Sequence, residues 1–442
     1  MKLKPFTRRL AAVFSIGALA ATALAGCSSG GSSSGDGKTL SVWTWTTAGA
    51  LLKPAADAFE KANPGTKVDI VDVGNPAIWD KITTGLAAGG QGLPDIMNTA
   101  IDQLPGYTDK FPNGFADMGP LGAKDLAGDF VPSAWGGGLG KDGQVWGIPF
   151  EVNTAGFAYR KDLLDAAGID MASIKTWDEL IDAGVTLKAK TGASLFELNK
   201  AAANTNAADF WQTLTQQQNA FYFNKDGDIT LNGPEGVKSL TLLKKMNDKG
   251  VLADSASFTS SNGLRFADGS VAISPSASWW PGYIEAKQPQ LKGKMATALR
   301  PVVDAGGSTA ALAGSTYLSI AGNSANKDLA WKFVHFALGT LDGQRVMQTA
   351  QPFTPGFVPM YKTPGFTDNS GYWVGDSPSK VFVDSITQPD LAVSNYTSDY
   401  ARAIRIYTDA QTKVMLSGAD PKAALDEAAK LLAAQTGRKI AS

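Results

Sequence analysis

From Leu40 onward, short β-rich runs alternate with amphipathic helical patterns, and that alternation limits the fold more than any other feature of the sequence. Residues 40–45 are strand-like. Leu51, Leu52, Ala55, Ala58 and Phe59 then recur at helical spacing until Asn63-Pro64-Gly65 breaks the pattern. Residues 67–73 alternate like a strand; Ile78, Trp79, Ile82 and Leu86 mark a second helix closed by Gly89-Gly90; residues 94–97 read as the next short strand. Strands separated by helices imply parallel βαβ units and an α/β class. Ligands of such sheets sit beyond the carboxyl ends of the strands, which draws attention to the residues after Val42 and after Met97.

Further along, Asp142-Gly143 signals a turn, Val145-Trp146 a strand and Pro149 a break. Residues 156–159 have strand character, and a helix opens at Arg160. Thr176, with Glu179 three residues on, has capping-box spacing ahead of a helix toward Leu187. Pro234-Glu235 opens a helix toward Met246. Residues 399–416 and 422–432 are helical, joined by a turn at Ser417-Gly418-Ala419-Asp420-Pro421. No internal repeat is visible in the sequence.

Composition narrows the chemistry of these 442 residues. A single cysteine excludes a disulfide framework and a Cys-based zinc site, and a single histidine, His335, leaves little scope for histidine acid–base catalysis. A formal charge of −1 argues against a nucleic-acid partner. Asn224, Asp226, Asp228, Thr230, Asn232 and Glu235 have the spacing of an EF-hand loop, yet Ile229 stands where that loop requires glycine, and Asp226-Gly227 is a hairpin-turn signal. No metal and no cofactor are expected.

Lys2, Lys4, Arg8 and Arg9 precede an apolar run over residues 10–24, the length of a signal-peptide core and too short to span a bilayer. Leu24-Ala25-Gly26-Cys27 resembles the bacterial lipobox, which implies cleavage before Cys27 and lipidation of that cysteine; a plain secretory signal is the alternative. Residues 28–37, rich in Ser and Gly, read as a flexible tether. The expected location is the extracellular face of the cell membrane, held by the lipid anchor.

The order of segments resembles the extracellular solute-binding proteins of carbohydrate ABC importers, the family that includes maltose-binding protein. The matching pieces are Leu40-Ser41-Val42-Trp43-Thr44-Trp45, Ala58-Phe59-Glu60-Lys61-Ala62-Asn63-Pro64-Gly65, Leu93-Pro94-Asp95-Ile96, Gly143-Gln144-Val145-Trp146-Gly147-Ile148-Pro149 and Phe157-Ala158-Tyr159-Arg160-Lys161-Asp162-Leu163. They continue with Thr176-Trp177-Asp178-Glu179-Leu180, Phe266-Ala267-Asp268-Gly269-Ser270-Val271-Ala272-Ile273 and Leu329-Ala330-Trp331-Lys332-Phe333. The resemblance implies a two-lobed type II periplasmic-binding-protein-like fold, with hinge crossings near residues 149–152, 301–313 and within 352–364. The implied lobes are 38–150 plus 313–358 and 151–312 plus 359–442. It also implies a monomer that closes on a sugar or short oligosaccharide and delivers it to ABC permease subunits, with no bond broken.

A sugar offers hydroxyls and an apolar ring face, so its site needs acids, amides and hydroxyls beside flat aromatic rings. By position and resemblance the candidates are Trp45, Thr46 and Thr47 after the first strand, Asn98 and Asp102 after the next, and Glu151 and Asn153 at the first crossing. Trp211, Trp279, Trp280, Ser315 and Thr316 complete the set. Bland alternatives stand beside several: core packing for Trp45 and Trp211, a helix cap for Asp102, and a solvated loop carboxylate for Glu151. Of the adjacent Trp279 and Trp280, one is expected to stack on ligand and the other to pack. Two rival functions remain: the same fold holding a non-carbohydrate solute, and a secreted glycoside hydrolase, which needs two carboxylates about 5 to 9.5 Å apart.

Overall fold

The computed structural model describes residues 38–201, 208–255, 260–275, 277–351 and 353–441, without the side chains of residues 260–262. The signal, Cys27 and the tether lie outside the described residues, as do Asn204-Thr205-Asn206 and Pro352 of the expected third crossing. Ten strands carry the architecture: β1 (Thr39–Thr44), β2 (Lys67–Asp72), β3 (Ile96–Ala100), β4 (Ile148–Thr154), β5 (Phe157–Arg160), β6 (Phe196–Leu198), β7 (Leu252–Asp254), β8 (Ile273–Ser274), β9 (Met295–Ala298) and β10 (Leu312–Ile320).

The first sheet has the order β2-β1-β3-β10-β4. β1, β2 and β3 are parallel, as the alternation with helices predicts, and β10 enters antiparallel to both β3 and β4. In the second half β5 lies antiparallel to β8 and β9, while β6 and β7 are parallel. Hydrogen bonds from Ala272 N to Ser194 O (3.0 Å) and Ile273 N to Leu195 O (2.9 Å) join these pieces in a parallel register. The second sheet is therefore β7-β6-β8-β5-β9, with the same succession of parallel and antiparallel neighbours as the first. The architecture repeats although the sequence does not.

Helix Thr46–Ala62 packs under the first sheet with Lys327–Gly339 and Leu341–Gln348. Its buried Leu51, Leu52, Ala55 and Phe59 are the periodic apolar set of the sequence, and Phe59 meets Phe333 edge-on at 5.4 Å. Thr176 caps helix Trp177–Thr191 with the full reciprocal box: Glu179 N donates to Thr176 Oγ1, and Glu179 Oε2 accepts from Thr176 N.

Pro149 does not break the chain as expected; it sits inside β4. β4 is the last strand of its sheet, so one side of its backbone has no strand partner, and its ladder with β10 is irregular between Ser315 and Tyr317, beside the Pro149 pair. β4 then passes into β5 of the second sheet through Ala155 and Gly156 alone. A Cβ at Gly156 would lie 2.7 Å from the Phe382 ring, so glycine lets helix Pro378–Ile386 seat against this junction.

The second half is built on large aromatic rings. Phe157, Trp177, Phe196 and Phe210 interlock, with ring-centroid separations of 5.2 to 6.0 Å. Trp211, a ligand candidate by sequence, belongs to the adjoining core. Its ring is fully buried, stacks on Tyr407 at 4.2 Å, and donates Nε1 to Gly236 O at 2.8 Å. Helix periodicity governs here, as the alternative reading held. Trp211→Ala is expected to lower unfolding free energy by about 3–5 kcal/mol in urea titration, the cost of a large buried aromatic; a loss below about 1 kcal/mol contradicts the core assignment.

Candidate functional site

The first sheet presents the ends of β1, β3 and β4 toward the connections that lead into the second. Glu151 and Asn153 alternate along β4 and are half-buried, while Phe150, Val152 and Thr154 between and beside them are buried. Alternation therefore puts Glu151 and Asn153 on one face of the strand. Ser315 and Thr316 hold the backbone there: Ser315 Oγ donates to Glu151 O at 3.0 Å, and Thr316 Oγ1 accepts from Glu151 N at 3.3 Å. Both hydroxyls are buried, so their present task is to pin the strand that carries Glu151. Asn153 Oδ1 accepts from Ser278 Oγ at 3.2 Å, which brings the segment before Trp279 onto β4.

Trp279 and Trp280 divide between an open and a packed ring. Trp280 is 1% exposed and meets Phe266 edge-on at 5.0 Å; Trp279 is 37% exposed, with Tyr283 as its ring neighbour at 6.5 Å. Trp45 is half-buried at the head of helix Thr46–Ala62 and contacts Trp79 at 5.7 Å. Thr46 and Thr47 are exposed beside it, and Thr46 donates to Asp72 Oδ2 at 2.6 Å. Asn98 is buried, donates Nδ2 to Thr44 Oγ1 at 3.0 Å, and leaves Oδ1 without a partner.

Asp102 does not cap a helix: Gln103 stands at the start of helix Leu104–Lys110, with no side-chain cap. The Asp102 carboxylate accepts from Gln103 Nε2 at 2.9 Å, and burial raises its pKa above the usual carboxylate range. Glu151 is pushed to about 7 by burial alone. The third acid, Asp209, was not singled out by sequence. It opens helix Asp209–Gln216 and keeps accessible surface, yet enough protein surrounds it to raise its carboxyl to about 7, with the Asp102 charge adding to the effect. Asp102 follows β3 of the first sheet and Asp209 belongs to the second half, so the effect of one charge on the other runs across a crevice between the two.

Gln212 and Gln216 follow Asp209 at i+3 and i+7, on one helical face. Gln212 accepts from Tyr400 Oη at 2.9 Å and leaves Nε2 unpaired; Gln216 donates to Ser394 Oγ at 2.8 Å and leaves Oε1 unpaired. Tyr396, edge-on to Tyr400 at 4.8 Å, senses the charges of both Asp102 and Asp209. The signal that finds these residues is a polar stripe, Asp-x-x-Gln-x-x-x-Gln, on a helix whose other positions are apolar or small. The structure thus gathers Asp102 with Asp209, Gln212, Gln216 and Tyr396, joins Glu151 to Asn153, Ser315 and Thr316, and leaves Trp211 and Trp280 in the core.

A cavity of about 1240 Å³ lies beside this group, between residues 136–146 of the first half and 219–227 and 392–398 of the second. It touches the crevice through Ile101, Pro105 and Tyr396 and contains none of the sequence-predicted residues. Within it Lys141 pairs with Asp109 at 2.9 Å and holds that carboxyl low, and Arg438 pairs with Asp399 at 2.8 Å.

Residues 43–340 match the family described as bacterial extracellular solute-binding protein. An arabinooligosaccharide-binding protein of Bacillus subtilis is 29% identical over 339 residues, 75% of this chain and 76% of that one. A lactose-binding protein of Rhizobium radiobacter is 30% identical over 313 residues, 67% and 69% of the two chains. Among solved structures, the sugar-binding protein MalE of Xanthomonas citri superposes with a TM-score of 0.76 at 22% identity, over 90% of this chain and 98% of that one. A Bifidobacterium animalis binding protein solved with β-1,6-galactobiose gives 0.74 at 22%, over 92% and 100%. These superpositions establish the two-lobed fold.

The raised acids make a pH prediction. A carboxyl whose folded pKa exceeds its unfolded value binds protons more tightly when folded, so its contribution to stability falls as pH rises from about 4.5 to 7. Glu151→Gln is expected to melt higher than the parent at pH 8, with the difference closing by pH 5; equal melting temperatures at pH 8 would contradict the desolvation of Glu151. The chain belongs to the bacterial extracellular solute-binding protein family.

Proposed function

We propose that this chain is the membrane-tethered sugar- or oligosaccharide-binding component of an ABC importer. The observation that carries the reading is that relatives matched over two thirds or more of both chains are sugar-binding proteins. Lobes built on the two sheets, near residues 38–150 plus 313–358 and 151–312 plus 359–442, close on the ligand, and the monomer hands it unaltered to permease subunits. Asp102, Glu151, Asn153 and Asp209 take its hydroxyls, and Trp279 offers a ring face. Only a ligand with greater affinity for the closed arrangement shifts the population toward it, and one touching both lobes has that property.

The test is a melting-shift screen over mono-, di- and trisaccharides, with reducing ends assayed in parallel. Stabilisation without new reducing ends is the expected result; released reducing sugar identifies a hydrolase instead. For the sugar that binds, Trp279→Ala is expected to weaken affinity about threefold to tenfold, from the loss of one aromatic contact, with the apo melting temperature nearly unchanged. A lowered melting temperature with full affinity would make Trp279 structural.

The lipobox reading has its own test. Cys27→Ser is expected to move the protein from the membrane fraction to the medium, and persistent membrane attachment of the variant would contradict lipidation at Cys27.

A further inference from the structure

Aromatic rings are buried or half-buried almost throughout this protein. Among the described residues only Trp279, at 37%, and Tyr283, at 36%, are exposed, and the two are neighbours. Single exposed apolar side chains are ordinary, but two exposed rings side by side mark a surface built to be covered. Helix Trp280–Lys287 sets the pairing: Trp280 and Ile284 turn inward, so Trp279 and Tyr283, also four residues apart, share the face beside them. Neither the Trp279 indole N–H nor the Tyr283 hydroxyl has a hydrogen-bond partner among the described residues.

The pair stands beside the junction of the two sheets. Ser278, just before Trp279, shares its hydroxyl between Val152 O and Asn153 Oδ1, each 3.2 Å away, and Ala277 bridges to Ala155. Trp279 is thereby anchored next to Asn153, and Tyr283 lies one helical turn further on. Helix Ser260–Asp268 backs one edge of the phenol ring: a Cβ at Gly263 would lie 3.7 Å from Tyr283 Cε1, and Leu264 beside it is 66% exposed. The apolar surface that starts at Trp279 therefore continues through Tyr283.

The planes of the two rings are 76° apart, with centroids separated by 6.5 Å. One sugar unit is a single ring and lays its C–H face on one plane only, so on Trp279 it leaves Tyr283 in water. Two units joined by a glycosidic oxygen turn about that linkage, and their faces can meet two inclined planes. Resting on the carbohydrate reading above, we infer that the ligand is an oligosaccharide of two or more units, with one unit on Trp279 and the next on Tyr283. Tyr283 is then a specificity-determining residue that selects for length, and its free hydroxyl is placed to exchange hydrogen bonds with the second unit.

The test is isothermal titration of the purified full-length protein with glucose, galactose, mannose and arabinose beside their linear di- and trisaccharides. A monosaccharide too weak to titrate directly is measured by competition against a bound oligosaccharide. At least one oligosaccharide is expected to bind about tenfold or more tightly than its own monosaccharide, the worth of one further aromatic contact with its hydrogen bonds. Tyr283→Ala should weaken that oligosaccharide about threefold to tenfold and the monosaccharide less than about twofold, with the apo melting temperature nearly unchanged. Tyr283→Phe, which keeps the ring, should keep most of the preference. Monosaccharides that bind as tightly as their oligomers, an equal loss for both in Tyr283→Ala, or no loss for either overturns this inference and leaves the carbohydrate reading standing. Failure of every sugar to bind the parent protein overturns that reading and this inference with it.

Discussion

The insertion of β10 between β3 and β4 is the constraint on which the rest of the molecule depends. β10 arrives from the second half, runs antiparallel to both neighbours, and so ties the return connection to the strand that leaves. Every inter-strand bond it makes fixes where β4 ends, and β4 carries Glu151 and Asn153. Ser315 and Thr316 add two side-chain bonds to the Glu151 backbone at that point. The backbone of Glu151 is thereby held by the same strands that join the halves. Only Ala155 and Gly156 separate β4 from β5, so little chain is free to absorb a change of angle there.

Much of this was legible in the sequence because it is local. Strand–helix alternation, the capping box at Thr176 and the turn at Asp226-Gly227 are decided by neighbours within a few residues. Asn224 Oδ1 accepts from the amides of Asp226 and Asp228, with Gly227 at φ 82°, the local turn that the glycine signalled. The strand through Pro149 was not legible, because whether a proline interrupts a sheet depends on whether its strand lies at an edge, a tertiary fact. Nor was the shared order of the two sheets, since β6 and β8 are only three and two residues long and carry too little pattern to recognise.

The site divides along the same line. Strand-end logic singles out Trp45, Asn98, Asp102, Glu151 and Asn153, whose positions follow from topology alone. It failed for Trp211, whose helix sends one face to the crevice and the other to Tyr407 and Gly236; the aromatic residue took the inner face and Asp209, Gln212 and Gln216 the outer. Aromatic residues suggest sugar sites by their chemistry, but in this lobe most large rings are consumed by the core. Here the polar residues of a mostly apolar helix were the better guide.

One charge in that core bears on the acids outside it. Arg300 is buried, none of its three guanidinium nitrogens finds a hydrogen-bond partner, and burial draws its pKa down to about 9. Its support is aromatic: the guanidinium lies 5.0 Å from the Trp177 ring, 5.4 Å from Phe210 and 5.8 Å from Phe157. Phe210 follows Asp209 directly, so a cation and an uncompensated acid are anchored on either side of one residue without pairing. A salt bridge between them would neutralise Asp209 and pull it inward, leaving the crevice with a spent acceptor. Holding Arg300 by ring faces instead stabilises the core around Phe157 and Trp177 and leaves Asp209 outside any salt bridge among the described residues. The cost is a buried cation without a carboxylate, several kcal/mol before the rings offset it, and it is borne just after β9, in the segment that leads to β10.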